Sequence, residues 1–299
     1  LAECIKSIQS QDYPLFECVL VFDNDPESKI QHYCRSLIGD DLRFRFVSLG
    51  QKCERNYARN VGIELAIGDY ITIVDGDDML PRDSLSKRLN YISKLPSESK
   101  KIVFGGFRCF RQDGEESICR GRDSYNFETF RLDVITHCGV MFPAKLLKQK
   151  RYKTNRLDLL MPSFKIGGED VDFMISFLKE NPGYEYINCN SITYDYRYLT
   201  GTSHDKRCWP VFGMLNVLIK HYGLPKETDQ DYKISFARRL LEFRLWADYL
   251  KRKGEEIPNL PFSEDQEKTL LRCLNHSQKE SVFKNFTNVL NKHGKDNND

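Results

Sequence analysis

The 299-residue chain is 40% hydrophobic and 12% aromatic, enough to bury a sizeable core, which excludes disorder as its main state. Its 45 Lys and Arg nearly cancel its 43 Asp and Glu, and a net charge of +2 gives no global attraction to polyanions, so nucleic acid is not an expected partner. No apolar run approaches the about 18 residues that would span a bilayer.

In chain order, Leu1, Ile5 and Ile8 recur at helical spacing until Tyr13-Pro14 stops the pattern. Residues 17–22 form a short, nearly continuous apolar run, the mark of a buried parallel strand, and end in the polar turn Asp23-Asn24-Asp25-Pro26. The alternation continues with a helix at 27–38, a strand at 43–47, a helix at 54–67 closed by Gly68, and a strand at 70–74. Such alternation predicts an α/β fold with a mostly parallel, doubly wound sheet whose ligands bind beyond the C-terminal strand ends, where Asp23 and Asp75-Gly76-Asp77-Asp78 both fall. After a helix at 83–94, the segments 101–110 and 117–120 flank Gln112-Asp113-Gly114 as a hairpin, and the middle of the chain is mixed. Amphipathic patterns at 208–222, 229–252, 264–274 and 278–292 make the last third helical. Ten cysteines are scattered with no CxxC pair and no histidine at zinc-ligand spacing, which reads as thiols in a reducing cytosol.

The acidic turn carries the first chemistry. Three carboxylates within four residues at the end of a buried strand suit a hard divalent cation, Mg²⁺ or Mn²⁺, and strand alternation would face Asp75 and Asp77 the same way. The same turn also reads as a polar cap for the helix that starts near Asp83. A second acidic group, Gly167-Gly168-Glu169-Asp170-Val171-Asp172, precedes an apolar helical pattern and on its own reads first as a helix start complementing the macrodipole.

The longer string decides between these readings. Gln11-Asp12-Tyr13-Pro14, then Arg55-Asn56-Tyr57-Ala58-Arg59-Asn60-Val61-Gly62, then Gly68-Asp69-Tyr70, a hydrophobic strand and Asp75-Gly76-Asp77 resemble the family 2 glycosyltransferases of the GT-A fold. The resemblance covers about residues 1–203 and is most specific over 54–81 and 167–173. It implies a GT-A catalytic domain over 1–203, with a nucleotide-sugar half at 1–110 and an acceptor half at 111–203, followed by a helical region at 204–299. On the donor side it implies base contacts from Asp23 and Asn24, a metal on Asp77 with Asp75 on the ribose or metal side, and positive charge from Arg55, Arg59 and Arg197. It implies Asp170 as the general base, with Glu169 positioning the acceptor or the base. His204 is a candidate metal or phosphate ligand against the alternative of ordinary polar surface. His137-Cys138-Gly139-Val140-Met141-Phe142 matches an acceptor-side segment, but Val140 stands where relatives carry lysine, which weakens the case for acceptor contacts there.

The implied reaction is metal-dependent transfer, with inversion, of a hexosyl or N-acetylhexosaminyl group from a nucleotide sugar, UDP favoured, to a glycan or lipid-linked acceptor. The usual setting is bacterial capsule, lipopolysaccharide or other surface-polysaccharide assembly on the cytoplasmic side. The alternatives are a GT-A domain that binds without turnover as a partner subunit, and a nucleotidyltransferase, for which no Gly-rich phosphate loop is present. Members of the family begin with a strand of the type Val-Ser-Ile-Ile-Pro-x-Tyr-Asn, so the resemblance implies a further segment of about 10 to 20 residues ahead of Leu1. The C-terminal helices pair apolar positions such as Phe212, Leu215, Phe236 and Leu240 with Lys220, Arg238, Arg239 and Lys251. They read either as peripheral membrane contacts or, the favoured reading, as an appendage packed on the catalytic domain or on a second subunit of a homo-oligomer.

Overall fold

The apolar run of the first predicted strand forms β1 (Cys18–Phe22), which pairs in parallel with β2 (Phe44–Ser48), Cys18 lying opposite Phe44 and Phe22 opposite Ser48. The structure is a computed structural model and describes residues 1–23, 29–111, 116–152, 168–198 and 208–293. These fall into two compact units, the first within Leu1–Phe127, Ile135–Asn155 and Phe173–Tyr198, the second within Glu128–Val134, Arg156–Asp172 and Leu199–Asp299.

In the first unit, helices α1 (Ala2–Gln9) and α2 (Lys29–Ile38) bring Ile5, Cys34 and Ile38 into one apolar cluster with Phe22 and Phe44. Helix α3 (Arg55–Leu65) lies against β1. The larger sheet runs in the order β3 (Tyr70–Thr72), β7 (Val140–Pro143), β4 (Lys101–Arg111), β8 (Glu185–Tyr198), β6 (Ser124–Tyr125), with β5 (Glu116–Cys119) paired to β4. Helix α4 (Ser84–Ile92) packs on β8 and β4, and the short α5 (Ala144–Leu147) follows β7. Phe142, Phe173, Phe177 and Tyr186 form an aromatic core with ring centroids 5.5 to 6.5 Å apart.

The α/β class stands, with helices flanking the sheet. The sheet itself departs from the expected mostly parallel order: β1–β2 and β4–β8 are parallel, but β3–β7, β4–β7, β4–β5 and β6–β8 are antiparallel. The hairpin predicted around 101–120 is β4–β5, while its turn lies outside the described residues. Among the described residues β1 pairs only with β2 and β3 only with β7, so the strands that deliver Asp23 and Asp75 belong to two separate sheets.

Where β4 and β8 run side by side, their register slips between Phe104 and Phe107, and Asn190 of β8 takes a φ of 55°. Gly105 permits this close crossing, because a Cβ there would lie 2.6 Å from the Ser191 carbonyl and collide with the Thr193 side chain.

The second unit is helical: α7 (Cys208–Tyr222), α8 (Gln230–Arg252), α9 (Glu264–Arg272) and α10 (His276–His293). Asp229 caps α8 by accepting from the Tyr232 N–H at 3.2 Å, and Ser263 with Gln266 forms a capping box on α9. The apolar positions that a membrane-surface reading would need, Phe212, Leu215, Leu218, Phe236, Leu240 and Phe243, are buried together in this unit's core. That burial removes the apolar face such a reading requires. Among the described residues no helix is long and apolar enough to cross a membrane, and no cysteine is paired in a disulfide.

Gly105→Ala should destabilise the first unit by about 1 to 3 kcal/mol, the cost of overpacking a close backbone crossing. A drop in melting temperature, measured by circular dichroism, checks it; an unchanged melt would remove the glycine's assigned role.

Candidate functional site

The strand β3 and the extended residues after it carry the chain to Asp75, where the turn Asp75–Asp78 gives its carboxylates different surroundings. Asp75, with a side chain 36% exposed, accepts from Nη2 of Arg59 on both oxygens at 2.9 Å. Burial pushes the Asp75 carboxyl up, but the Arg59 charge and hydrogen bonds, helped by Arg55, hold it below its ordinary value. Arg59 is itself fixed on α3, where Nη1 donates to Asn56 Oδ1 at 3.2 Å and its guanidinium lies over the Tyr152 ring. Tyr152 in turn stacks on Phe173 with centroids 3.9 Å apart.

Asp78 is buried and held by neutral donors, the Arg197 backbone N–H and the Tyr194 hydroxyl, each at 2.8 Å. Burial dominates and pushes its carboxyl up to about 7, against those hydrogen bonds. The Tyr194 hydroxyl also accepts from the Asp75 N–H at 3.2 Å. Arg197 Nε donates to the Asp77 carbonyl at 3.0 Å, and Cys4 Sγ donates to the Asp75 carbonyl at 3.7 Å. The turn is thus gripped through its backbone by β8 and α1, while the exposed Asp77 carboxylate has no partner among the described residues.

Asp23 sits at the end of β1, where its carboxylate accepts from the N–H groups of Cys53 and Glu54, the latter at 2.9 Å. It therefore holds the N-terminus of α3, just where Glu54 adopts a φ of 80° that side chains rarely take. Arg55 is exposed on the first turn of α3. Asn24 and His204 lie outside the described residues.

A further residue joins Asp75 without having been predicted there. His137 is only 1% exposed, its Nε2 lies 3.9 Å from Asp75 Oδ2, and neither ring nitrogen has a hydrogen-bond partner among the described residues. Burial and the Arg59 charge push its imidazole down to about 3, so it is neutral at pH 7. The expected divalent cation fits the donor set on the oxygen side, with an unengaged Asp77 carboxylate and a half-exposed Asp75 one turn residue away.

Glu169 and Asp170 open helix α6 (Glu169–Glu180), both partly exposed, and are described with the second unit. Gly168 precedes them with a φ of 83°, and a Cβ on it would lie 3.1 Å from the Gly213 backbone of α7. Asp172, one turn into the helix, is buried and accepts from Lys220 Nζ at 2.6 and 2.8 Å, with His221 Nε2 at 2.6 Å. Burial pushes the Asp172 carboxyl up, and the His221 and Lys220 partners overcome that to hold it at about 2. These contacts anchor the helix start. The sequence offered no sign of them, because the partners lie 48 and 49 residues away.

The model of glycosyl transferase family 2 matches residues 1–152. The chain is similar to an uncharacterized glycosyltransferase of Methanocaldococcus jannaschii, 23% identical over 192 residues, which are 62% of this chain and 62% of that protein. It is also similar to the GalNAc(5)-diNAcBac-PP-undecaprenol beta-1,3-glucosyltransferase of Campylobacter jejuni, 32% identical over 106 residues, 35% of this chain and 33% of that one. The chain thus spans less than two thirds of the length of these curated relatives. Its fold resembles that of S. aureus TarS 1-349 in complex with UDP, with a TM-score of 0.51 at 14% identity over 90% of this chain and 86% of the other.

Asp172→Asn tests the anchor of α6. A carboxylate whose pKa is depressed on folding adds stability above its unfolded value and loses it as pH falls through its folded value. The variant should therefore be less stable than the parent by about 2 kcal/mol at neutral pH, with the gap closing between about pH 4 and pH 2. Urea unfolding across that range checks it, and a gap independent of pH would show that the ion pairs are not its source.

Proposed function

The chain belongs to glycosyl transferase family 2, and on that premise we propose that it is a metal-dependent, inverting glycosyltransferase that moves a sugar from a UDP-sugar to a glycan or lipid-linked acceptor. The observation that carries this reading is the acidic turn, in which Arg59 holds Asp75 while the neighbouring Asp77 carboxylate is exposed and unengaged. The TarS structure in complex with UDP supports the choice of nucleotide. The undecaprenol-linked substrate in the Campylobacter relative's name supports a lipid-linked acceptor, and the setting is read as surface-polysaccharide assembly, capsule or lipopolysaccharide. The transferred group is read as a hexosyl or N-acetylhexosaminyl unit.

The proposed roles follow from what glycosyl transfer demands. Asp77, with Asp75, would hold Mn²⁺ or Mg²⁺, which supplies positive charge for the departing diphosphate. Arg55, Arg59 and Arg197 add fixed positive charge on the donor side, and Asp23 with Asn24 is assigned to the base. Asp170 accepts the proton of the acceptor hydroxyl as that oxygen bonds to the anomeric carbon and the bond to the nucleoside diphosphate breaks, with Glu169 orienting the acceptor or Asp170. A single displacement of this kind inverts the anomeric configuration. The catalytic domain is assigned to residues 1–203 and the helical region to 204–299.

Asp170→Asn should bind UDP as the parent does yet lose transfer by about 100-fold or more, the usual weight of a general base. Asp77→Ala should lose the Mn²⁺-dependent part of UDP binding in calorimetry. Release of UDP from a UDP-sugar, followed with acceptor present, is the activity readout. Retained transfer in Asp170→Asn would remove that base assignment, and nucleotide binding by the parent with no turnover on any acceptor would favour a binding domain instead.

A further inference from the structure

The three residues Asp75, His137 and Cys138 present a carboxylate oxygen, an imidazole nitrogen and a sulfur that all lie within 4.8 Å of one another. Asp75 ends the strand segment after β3, whereas His137 and Cys138 precede β7, the strand that pairs with β3. The pairing of β3 with β7 therefore brings the groups together, although they are 62 and 63 residues apart in sequence (137 − 75 and 138 − 75). His137 supplies an independent sign of a missing occupant. Its two nitrogens are buried without a hydrogen-bond partner among the described residues, and the nearer one faces Asp75 Oδ2 at 3.9 Å. Leaving a buried imidazole unsatisfied costs about 1 to 3 kcal/mol, so a ligand on it removes a penalty as well as adding a bond.

We propose that Asp75, His137 and Cys138 form a binding site for a borderline divalent metal of the Zn²⁺ class. One oxygen, one nitrogen and one sulfur match the ligands that Zn²⁺ and Co²⁺ take at about 2.0 to 2.3 Å, with a fourth position open. They do not match Mg²⁺, which takes oxygen ligands in an octahedral shell. The site shares Asp75 with the cation site proposed above but does not use the Asp77 carboxylate, which is not among its ligands. Arg59 Nη2 contacts both Asp75 oxygens at 2.9 Å, so ion binding exchanges its contact with Oδ2 for the metal while Oδ1 keeps the guanidinium, and that competition limits affinity. Cys138 binds as the thiolate, so its proton passes to solvent as the ion enters.

The test uses the full chain and metal alone, with no nucleotide, so it is independent of the proposed transfer activity. Titration with Co²⁺ should release one proton per ion bound at this site and give a sulfur-to-cobalt charge-transfer band with the intense visible bands of four-coordinate cobalt, and Zn²⁺ should then displace the cobalt and abolish the bands with no further proton release. Cys138→Ser should abolish the charge-transfer band. His137→Asn, checked for folding by circular dichroism, should weaken Zn²⁺ binding by more than the roughly 10- to 100-fold that loss of an outer partner costs. Asp77→Ala should leave the cobalt spectrum unchanged. A parent protein without the band, a band that survives Cys138→Ser, or Zn²⁺ affinity unchanged in folded His137→Asn would each overturn the site.

Discussion

Everything at the acidic turn depends on how three carboxylates are kept within four residues without forcing the turn apart. Like charges at such spacing repel, and the protein meets that with two different devices. Asp75 is neutralised by a charge-assisted, two-oxygen contact with Arg59. Asp78 is buried among neutral donors, and its carboxyl rises to about 7, so part of its charge is removed by protonation. Asp77 is then left as the exposed anion of the turn. The unequal surroundings make one carboxylate structural, one paired and one available.

The second acidic group follows the same logic in the other unit. Of the three acids in the first turn of α6, the buried one, Asp172, takes two partners from α7, Lys220 and His221. Glu169 and Asp170 stay partly exposed on the turn that it anchors. Gly168 lets this helix start approach the α7 backbone at Gly213. A buried ion pair of this kind is poor evidence for net stability, but removal of one member is costly, which makes it suited to holding an element in place.

Most element positions were legible in the sequence, because burial imposes a periodicity that one chain records. The helix expected at 208–222 is Cys208–Tyr222, and that at 229–252 is Gln230–Arg252. Strand direction was not legible: the run at 140–143 looks the same whether its neighbour runs with or against it, and β7 runs against both β3 and β4. The acidic residues were found because three of them adjoin on one turn. Their partners were missed because they come from distant segments, as His137 and Tyr194 do for Asp75 and Asp78. Asp23 was read as a ligand-facing carboxylate, and its hydrogen bonds to the Cys53 and Glu54 backbone at the start of α3 depend on a loop path that no local pattern encodes.

The aim of the acidic turn is set from behind as well as at its tip. Arg88 of α4 is fully buried with no carboxylate beside it among the described residues, and it donates to Ser84 O at 3.1 Å, Ser84 Oγ at 2.8 Å and Thr72 Oγ1 at 2.7 Å. Burial pulls its pKa down to about 10, which still leaves it charged at pH 7. Thr72 passes the connection on to the Val140 carbonyl at 2.8 Å, and Ser84 Oγ donates to the Thr193 carbonyl at 2.5 Å. One guanidinium thus links α4 to β3, β7 and β8, the three strands that lead to Asp75, His137 and Tyr194. An apolar side chain could fill the same space, but it would leave the Thr72 and Ser84 groups without this donor and the strand ends free to shift. Because the Arg59 and Tyr194 contacts are short and directional, a shift of even an ångström at Thr72 would break them. The buried cation is therefore best understood as fixing the register of the strands that present the acidic turn.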